Sequence, residues 1–250
     1  MPTTVPVTVT TMNAPPELAK QGIYDVSTIQ NHPLGARLPL GDGRTFAYAL
    51  NGSGAAITPS MMNQSPAWVL NHKKCAVAAT ANVGVTAISV TLGATAATVN
   101  QYADGYIYND NGAYGYKYYK IRSHLAIGSG GTGTINTYDP VITQMTSSAF
   151  VTLIPNPYNG TVVAPTTFTG PCIGVNLVDV PASNYYWVQT WGPCNCLIGA
   201  GPPTVGQSLI RSAATAGALI VMAAAGQVVG TMMQSEAAAD YGLVFLSISP

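Results

Sequence analysis

At 250 residues the chain is long enough to bury a sizeable core, as one large β domain or two smaller ones. Nine basic and nine acidic residues leave it 7% charged with a net charge of zero, against about 25% charged residues in ordinary soluble domains. That argues against a nucleic-acid partner, because phosphate contacts need clustered Lys and Arg. It also leaves little repulsion between copies, which suits an assembly subunit packed side by side with its neighbours.

The first 20 residues alternate Val with Thr from Thr3 to Thr11 and then meet Pro15-Pro16. Period-two patterning followed by a stiff break reads equally as an extended N-terminal arm over residues 1–20, able to pair with something beyond its own domain, or as a frayed terminus. The first basic residue is Lys20, so neither a charged n-region nor an apolar h-region of a secretory signal is visible.

Residues 21–66 read as a β-hairpin region and linker. Leu40-Gly41-Asp42-Gly43-Arg44 predicts a turn, its Asp-Gly step supplying positive φ, and Thr45-Phe46-Ala47-Tyr48 the strand that follows. Ser53 to Pro66, with Pro59, Met61 and Met62, reads as a linker or an extended crossing.

Residues 67–250 read as the main β domain, with C-terminal strands able to pack back on residues 21–52. Alternation in Ala87-Ile88-Ser89-Val90-Thr91-Leu92 marks a half-buried strand. Asn111-Gly112, set among Tyr106, Tyr108, Tyr114, Tyr116, Tyr118 and Tyr119, signals a hairpin. Lys117, Lys120 and Arg122 read as the outward face of a strand. Gly128-Ser129-Gly130-Gly131-Thr132-Gly133 lacks the lysine of a phosphate loop and leads into Thr134–Tyr138, so it reads as a hairpin loop.

Further apolar runs at Ala149–Ile154, Ile173–Val180, Tyr185–Thr190 and Tyr241–Ile248 are divided by Pro-, Asn- and Gly-rich turns. The longest apolar stretch, Ala216–Gly226, falls short of the roughly 20 residues of a membrane-spanning helix. No helix-length amphipathic pattern stands out. The fold class is therefore all-β, a sandwich or barrel of short antiparallel strands, with two β subdomains as an option.

Chemistry-bearing constellations are sparse. Cys194-Asn195-Cys196, with Cys172 and Cys75 elsewhere, is the best metal candidate, yet zinc sites space their cysteines by two to four residues. Buried free thiols made in a reducing cytoplasm are the preferred reading, so no metal or other cofactor is expected. His32, His72 and His124 sit in separate segments and read as polar turn or strand residues. No G-x-S-x-G elbow occurs, and Asp104, Asp110 and Asp139 lie in turn-like contexts instead of forming a glycosidase pair. The tyrosines from 106 to 119 could form a sugar-binding platform, although packing is the preferred role. No catalytic residue is expected, and the chain is not expected to be an enzyme.

Several phrases together carry a resemblance: Asn31-His32-Pro33-Leu34-Gly35 with Gly41-Asp42-Gly43-Arg44-Thr45-Phe46-Ala47-Tyr48; Tyr102-Ala103-Asp104-Gly105-Tyr106; Tyr119-Lys120-Ile121-Arg122-Ser123-His124; Tyr138-Asp139-Pro140; Asn156-Pro157-Tyr158; and Tyr186-Trp187-Val188-Gln189-Thr190-Trp191-Gly192-Pro193. From about Gly22 onward the chain resembles virion structural proteins of tailed bacteriophages, of the kind encoded close to the major capsid protein. The resemblance implies a head decoration or cement protein, bound to the outside of the capsid lattice, often as a trimer. Its partners would be further copies of itself and the major capsid protein, with no nucleic acid and no membrane. The alternatives are another virion subunit (major capsid, tail or fibre protein) or a carbohydrate-binding module on the virion.

Overall fold

A computed structural model describes residues 20–110, 112, 115–223 and 226–250. The expected arm, residues 1–20, lies outside the described residues except for Lys20. Among the described residues, sixteen strands and the short 3-10 turn Leu70–His72 are the named regular elements, so the all-β expectation is met.

The first three strands are β1 (Arg37–Pro39), β2 (Thr45–Asn51) and β3 (Met62–Gln64). β1 and β2 pair antiparallel around the expected turn, where Asp42 Oδ1 accepts from the Arg44 backbone N–H at 3.1 Å. Within the expected linker or extended crossing over residues 53–66, β3 is a strand of the sheet. All three of its residues are buried, and it lies between two other strands of a sheet. The segment hid because Asn63 and Gln64 are polar at buried positions, where side-chain hydrogen bonds replace the usual apolar contacts.

Six strands then form a closed antiparallel barrel: β4 (Cys75–Val77), β5 (Ala87–Thr91), β6 (Tyr106–Asn109), β7 (Tyr118–His124), β8 (Thr132–Thr137) and β9 (Phe150–Ile154). Their spatial order is β4-β5-β8-β7-β6-β9. Inward residues alternate with outward ones, so Ile88, Val90, Ile107, Ile121, Ile135, Val151 and Leu153 fill the lumen. Closure removes every free sheet edge from this body. Lys120 and Arg122 point outward from β7, as expected.

The remaining strands are β10 (Asn159–Val163), β11 (Cys172–Asn176), β12 (Tyr185–Leu197), β13 (Ser208–Arg211), β14 (Leu219–Val221), β15 (Val228–Met232) and β16 (Tyr241–Ser247). They join β1–β3 in one ten-stranded sheet. Pairings β2–β10, β10–β3, β3–β11, β11–β12 and β12–β2 return to their starting strand, so this part of the sheet also curls into a ring. β12 is the shared element. Its first half, to Trp191, pairs with β2, and its second half, from Trp191 to Leu197, pairs with β16. From β16 the sheet continues through β15 and β13 to β14, and an Ile198–Leu219 bridge brings β14 back beside the end of β12.

The expected main domain over 67–250, with C-terminal strands able to pack back on residues 21–52, divides into two bodies. The closed barrel, residues 75–154, is inserted between β3 and β10, while residues 37–64 and 159–247 build the second body together. A sequence cannot display this directly, because the pairing of β2 with β12 joins residues more than a hundred positions apart.

Candidate functional site

Among the described residues, two outward-facing aromatic surfaces, a buried histidine cluster and a buried cysteine cluster hold most of the chemistry-bearing side chains. The first surface lies at the β6–β7 end of the barrel. Alternation turns Ile107 and Tyr119 into the core and leaves Tyr106, Tyr108 and Tyr118 on the other face. With Tyr116 they line an open concavity of about 500 Å³. Tyr116 and Tyr118 are more than 70% exposed, and the Tyr106 and Tyr118 rings meet edge to face with centroids 5.9 Å apart. Tyr119, in contrast, uses its hydroxyl to accept from the Ile142 backbone N–H at 3.1 Å. Of the tyrosines from 106 to 119, Tyr119 is packed into the core, Tyr106, Tyr116 and Tyr118 are exposed, and Tyr114 lies outside the described residues.

Catalytic acids do not converge on this surface. Asp104 and Asp110 flank the two ends of β6. Asp104 Oδ1 accepts from the Tyr138 hydroxyl at 3.2 Å and lies 3.9 Å from Lys120 Nζ, while Asp110 Oδ2 accepts from Thr152 at 3.2 Å. Both carboxylates serve to pin turns.

The second surface is the outer face of β16. Tyr241, Leu243 and Phe245 point outward and are each at least 36% exposed, flanked by exposed Val228 and Met233. Trp191 of β12 meets Phe245 edge to face at 5.6 Å. Three of the four outward positions of β16, all but Ser247, are thus aromatic or aliphatic where a free-standing antiparallel sheet carries polar residues.

The first buried cluster lies in the barrel. All three histidines are buried; His124 ends strand β7 and His72 lies in the Leu70–His72 turn, in line with their reading as polar turn or strand residues. His72 Nδ1 is hydrogen-bonded to the Tyr102 hydroxyl and His72 Nε2 to the Thr95 carbonyl at 2.9 Å. His124 Nε2 accepts from the Tyr102 backbone N–H at 3.0 Å, and its Nδ1 meets the Leu125 carbonyl at 2.8 Å. A carbonyl can only accept, so these partners fix His72 as the Nε2–H tautomer and His124 as the Nδ1–H tautomer. Burial pushes the His124 pKa down and the Tyr102 hydroxyl far up, so both are neutral at pH 7. The pair is a buried tie between the turns at Leu70–His72 and Asn100–Tyr102 and strand β7.

The second buried cluster holds the cysteines. Cys172, Cys194 and Cys196 are reduced and belong to one apolar cluster with Met62, Leu209, Val244 and Leu246. Cys194 and Cys196 lie two apart on β12 and so share its inner face. The Cys196 thiol donates to the Cys194 carbonyl at 3.6 Å. Its contact with the Cys194 thiol, together with burial, pushes the Cys196 thiol well above its usual range, and burial pushes Cys172 up to about 11. Cys172 and Cys196 are thus held as thiols, and a metal bound there would have to release their protons. Among the described residues, no three His, Cys, Asp or Glu side chains are grouped to hold a metal ion.

Sequence reasoning overlooked Arg211, which ends β13 and is 5% exposed. Its only sequence signal is an arginine in an otherwise apolar strand, Ser208-Leu209-Ile210-Arg211. Comparison with protein-family models, with curated proteins and with solved structures gave no match.

Proposed function

We propose that the protein is a structural subunit of a tailed-phage virion, a non-enzymatic head decoration protein that associates with itself as a trimer and binds the major capsid protein on the capsid exterior. The observation that carries this reading is the outward row Tyr241, Leu243 and Phe245 on β16, on a chain with only 7% charged residues. Two copies meeting through that row desolvate no charge, so burial of the aromatic and aliphatic side chains is not offset by an ionic penalty. Phe245, with Trp191 beside it, is the anchor of that contact.

Sedimentation of the purified chain tests the self-association. The wild type is expected to sediment as a trimer at micromolar concentration, and Phe245→Glu as a folded monomer. A wild type that stays monomeric would count against the reading. Negative-stain images of particles lacking the gene are expected to show bare, less stable heads, and unchanged heads would remove the decoration role.

The exposed tyrosines around the 500 Å³ concavity favour a second reading, glycan binding by aromatic stacking. Binding of a neutral oligosaccharide that is lost in Tyr118→Ala would support it.

A further inference from the structure

Arg211 is a buried cation without a buried anion. Its Nη1 donates to Gln64 Oε1, and the Phe168 ring covers the guanidinium with its centroid 3.7 Å from the guanidinium carbon. Its Nη2 is buried and has no hydrogen-bond partner. Among the described residues the only ion pairs are Arg44 with Asp42 and Lys120 with Asp104. The thiol of nearby Cys172 cannot supply the charge, because burial pushes it up to about 11 and it stays protonated. A guanidinium does not escape burial by losing its proton under ordinary conditions. The ring and a single amide oxygen leave one strong donor unused, a costly arrangement that a bound acceptor would relieve.

A cavity of about 60 Å³ lies beside this group, lined by Phe168, Gly170, Cys172, Ile210, Gly226 and Gln227 along with Arg211 itself. Gln227 is committed elsewhere: its Oε1 accepts from the Cys172 N–H at 2.7 Å and its Nε2 donates to the Cys172 carbonyl at 3.0 Å. Gln64 likewise donates to Thr169 at 2.8 Å. These bonds hold the walls still and leave the guanidinium as the recognition group. One positive charge, few further donors and walls of Phe, Ile and Gly suit a single monoanionic head with little bulk. A phosphate dianion would ask for more donors than the site offers.

We propose that Arg211, roofed by Phe168 and braced by Gln64, is a binding site for a carboxylate group. Phe168, more than half exposed on the loop between β10 and β11, is the roof that admits the ligand and then shields the ion pair from water. The carboxylate comes either from an Asp or Glu side chain of a second copy or from a free small acid. This inference goes beyond the assembly role and stands apart from the β16 surface.

Thermal unfolding of the full chain in sodium formate, against sodium chloride at equal ionic strength, tests the site. Wild type should show a saturable rise in melting temperature with formate over chloride. Arg211→Met should lose that rise, while Arg122→Gln, on the outward face of β7, should keep it. Should Arg211→Met fail to fold, Phe168→Ala supplies the reading: the roof is gone, and formate should bind at least fivefold more weakly. No formate-specific rise in wild type, an equal rise in Arg211→Met, or unchanged affinity in Phe168→Ala overturns the proposal. Sedimentation in the same buffers separates the sources. Formate that dissociates the oligomer, with Arg211→Met already dissociated, points to a carboxylate of a second copy. An oligomeric state indifferent to both points to a free acid.

Discussion

The backbone N–H of Tyr102 donates to His124 Nε2 at 3.0 Å, so the ring nitrogen that would take up a proton is already occupied as an acceptor. Protonation of His124 would set a donor against a donor inside the barrel. Burial acts in the same direction, as does the neighbouring His72 ring, and the folded-state pKa of His124 lies below its ordinary value of 6.5. Below pH 6.5 the unfolded chain therefore binds a proton that the folded chain refuses. The stability associated with neutral His124 is present above pH 6.5 and is lost as the pH falls toward its folded-state pKa, at up to about 1.4 kcal/mol per pH unit. Urea unfolding between pH 7.5 and 5 should show this loss in the wild type and a flatter profile in His124→Gln. Parallel profiles would remove His124 as the source.

Tyr186 sits at the centre of the ring that joins β2, β3 and β10–β12. Its hydroxyl donates to Thr161 Oγ1 at 2.9 Å and accepts from Asn63 Nδ2 at 3.3 Å. Asn63 also reaches Asn176 Oδ1 at 3.2 Å, and Thr161 donates to the Leu50 carbonyl at 3.1 Å, so each partner keeps one bond if the hydroxyl is removed. Tyr186→Phe is expected to cost about 1–2 kcal/mol, less than stranding a buried amide outright. Denaturant unfolding measures it, and a cost below about 0.5 kcal/mol would mean that the network is slack.

Much of this architecture could be read from the sequence, for identifiable reasons. Strands β5, β7 and β16 have one face buried and one exposed, and that difference is written as alternation. The hairpin at Asp42-Gly43 was legible because Gly43 takes φ of 86°, a conformation the Asp-Gly step advertises. β3 escaped because its burial is polar. The second half of β12 escaped because it contains Gly192-Pro193, which reads as a break. Pro193 lies opposite Phe245 of β16, past the point at Trp191 where pairing with β2 ends, so the missing N–H costs no bond on that open side. The carboxylate site and the histidine pair could not be seen at all. Gln64 and Arg211, like His72 and His124, are neighbours only after the sheet and the barrel close.

Gly174 in β11 is the position least able to accept a side chain. Its φ is 150°, and a Cβ there would stand 2.3 Å from the Gln189 carbonyl oxygen on the paired strand β12. Backbone against backbone cannot give way as a side-chain tip can. Gly174→Ala is expected to destabilise by about 3 kcal/mol through combined strain and overpacking. Gly160 has φ of 81° but nothing within 4 Å of a Cβ, so Gly160→Ala should cost only about 1 kcal/mol, the left-handed penalty alone. Equal losses in the two variants would show that the close approach of β11 to β12 relaxes freely.

The cysteines offer a test of whether the apolar cluster is a packing element or a latent metal site. Cys194 and Cys196 are each at most 3% exposed, and Cys196 is held as a protonated thiol well above its usual range. A thiol in that state is a poor nucleophile. Iodoacetamide should therefore label these residues in the native protein only as fast as the second body opens, and fully once urea unfolds it. A chelator should leave the melting temperature unchanged, and elemental analysis should find less than one zinc per chain. Cys196→Ser replaces a buried sulfur, which donates to the Cys194 carbonyl at 3.6 Å, by a shorter-reaching hydroxyl. It should cost about 1–3 kcal/mol by poorer burial alone. Stoichiometric zinc, lost together with the fold in Cys196→Ser, would instead make Cys172 and Cys194 its first co-ligands, since both already share the cluster.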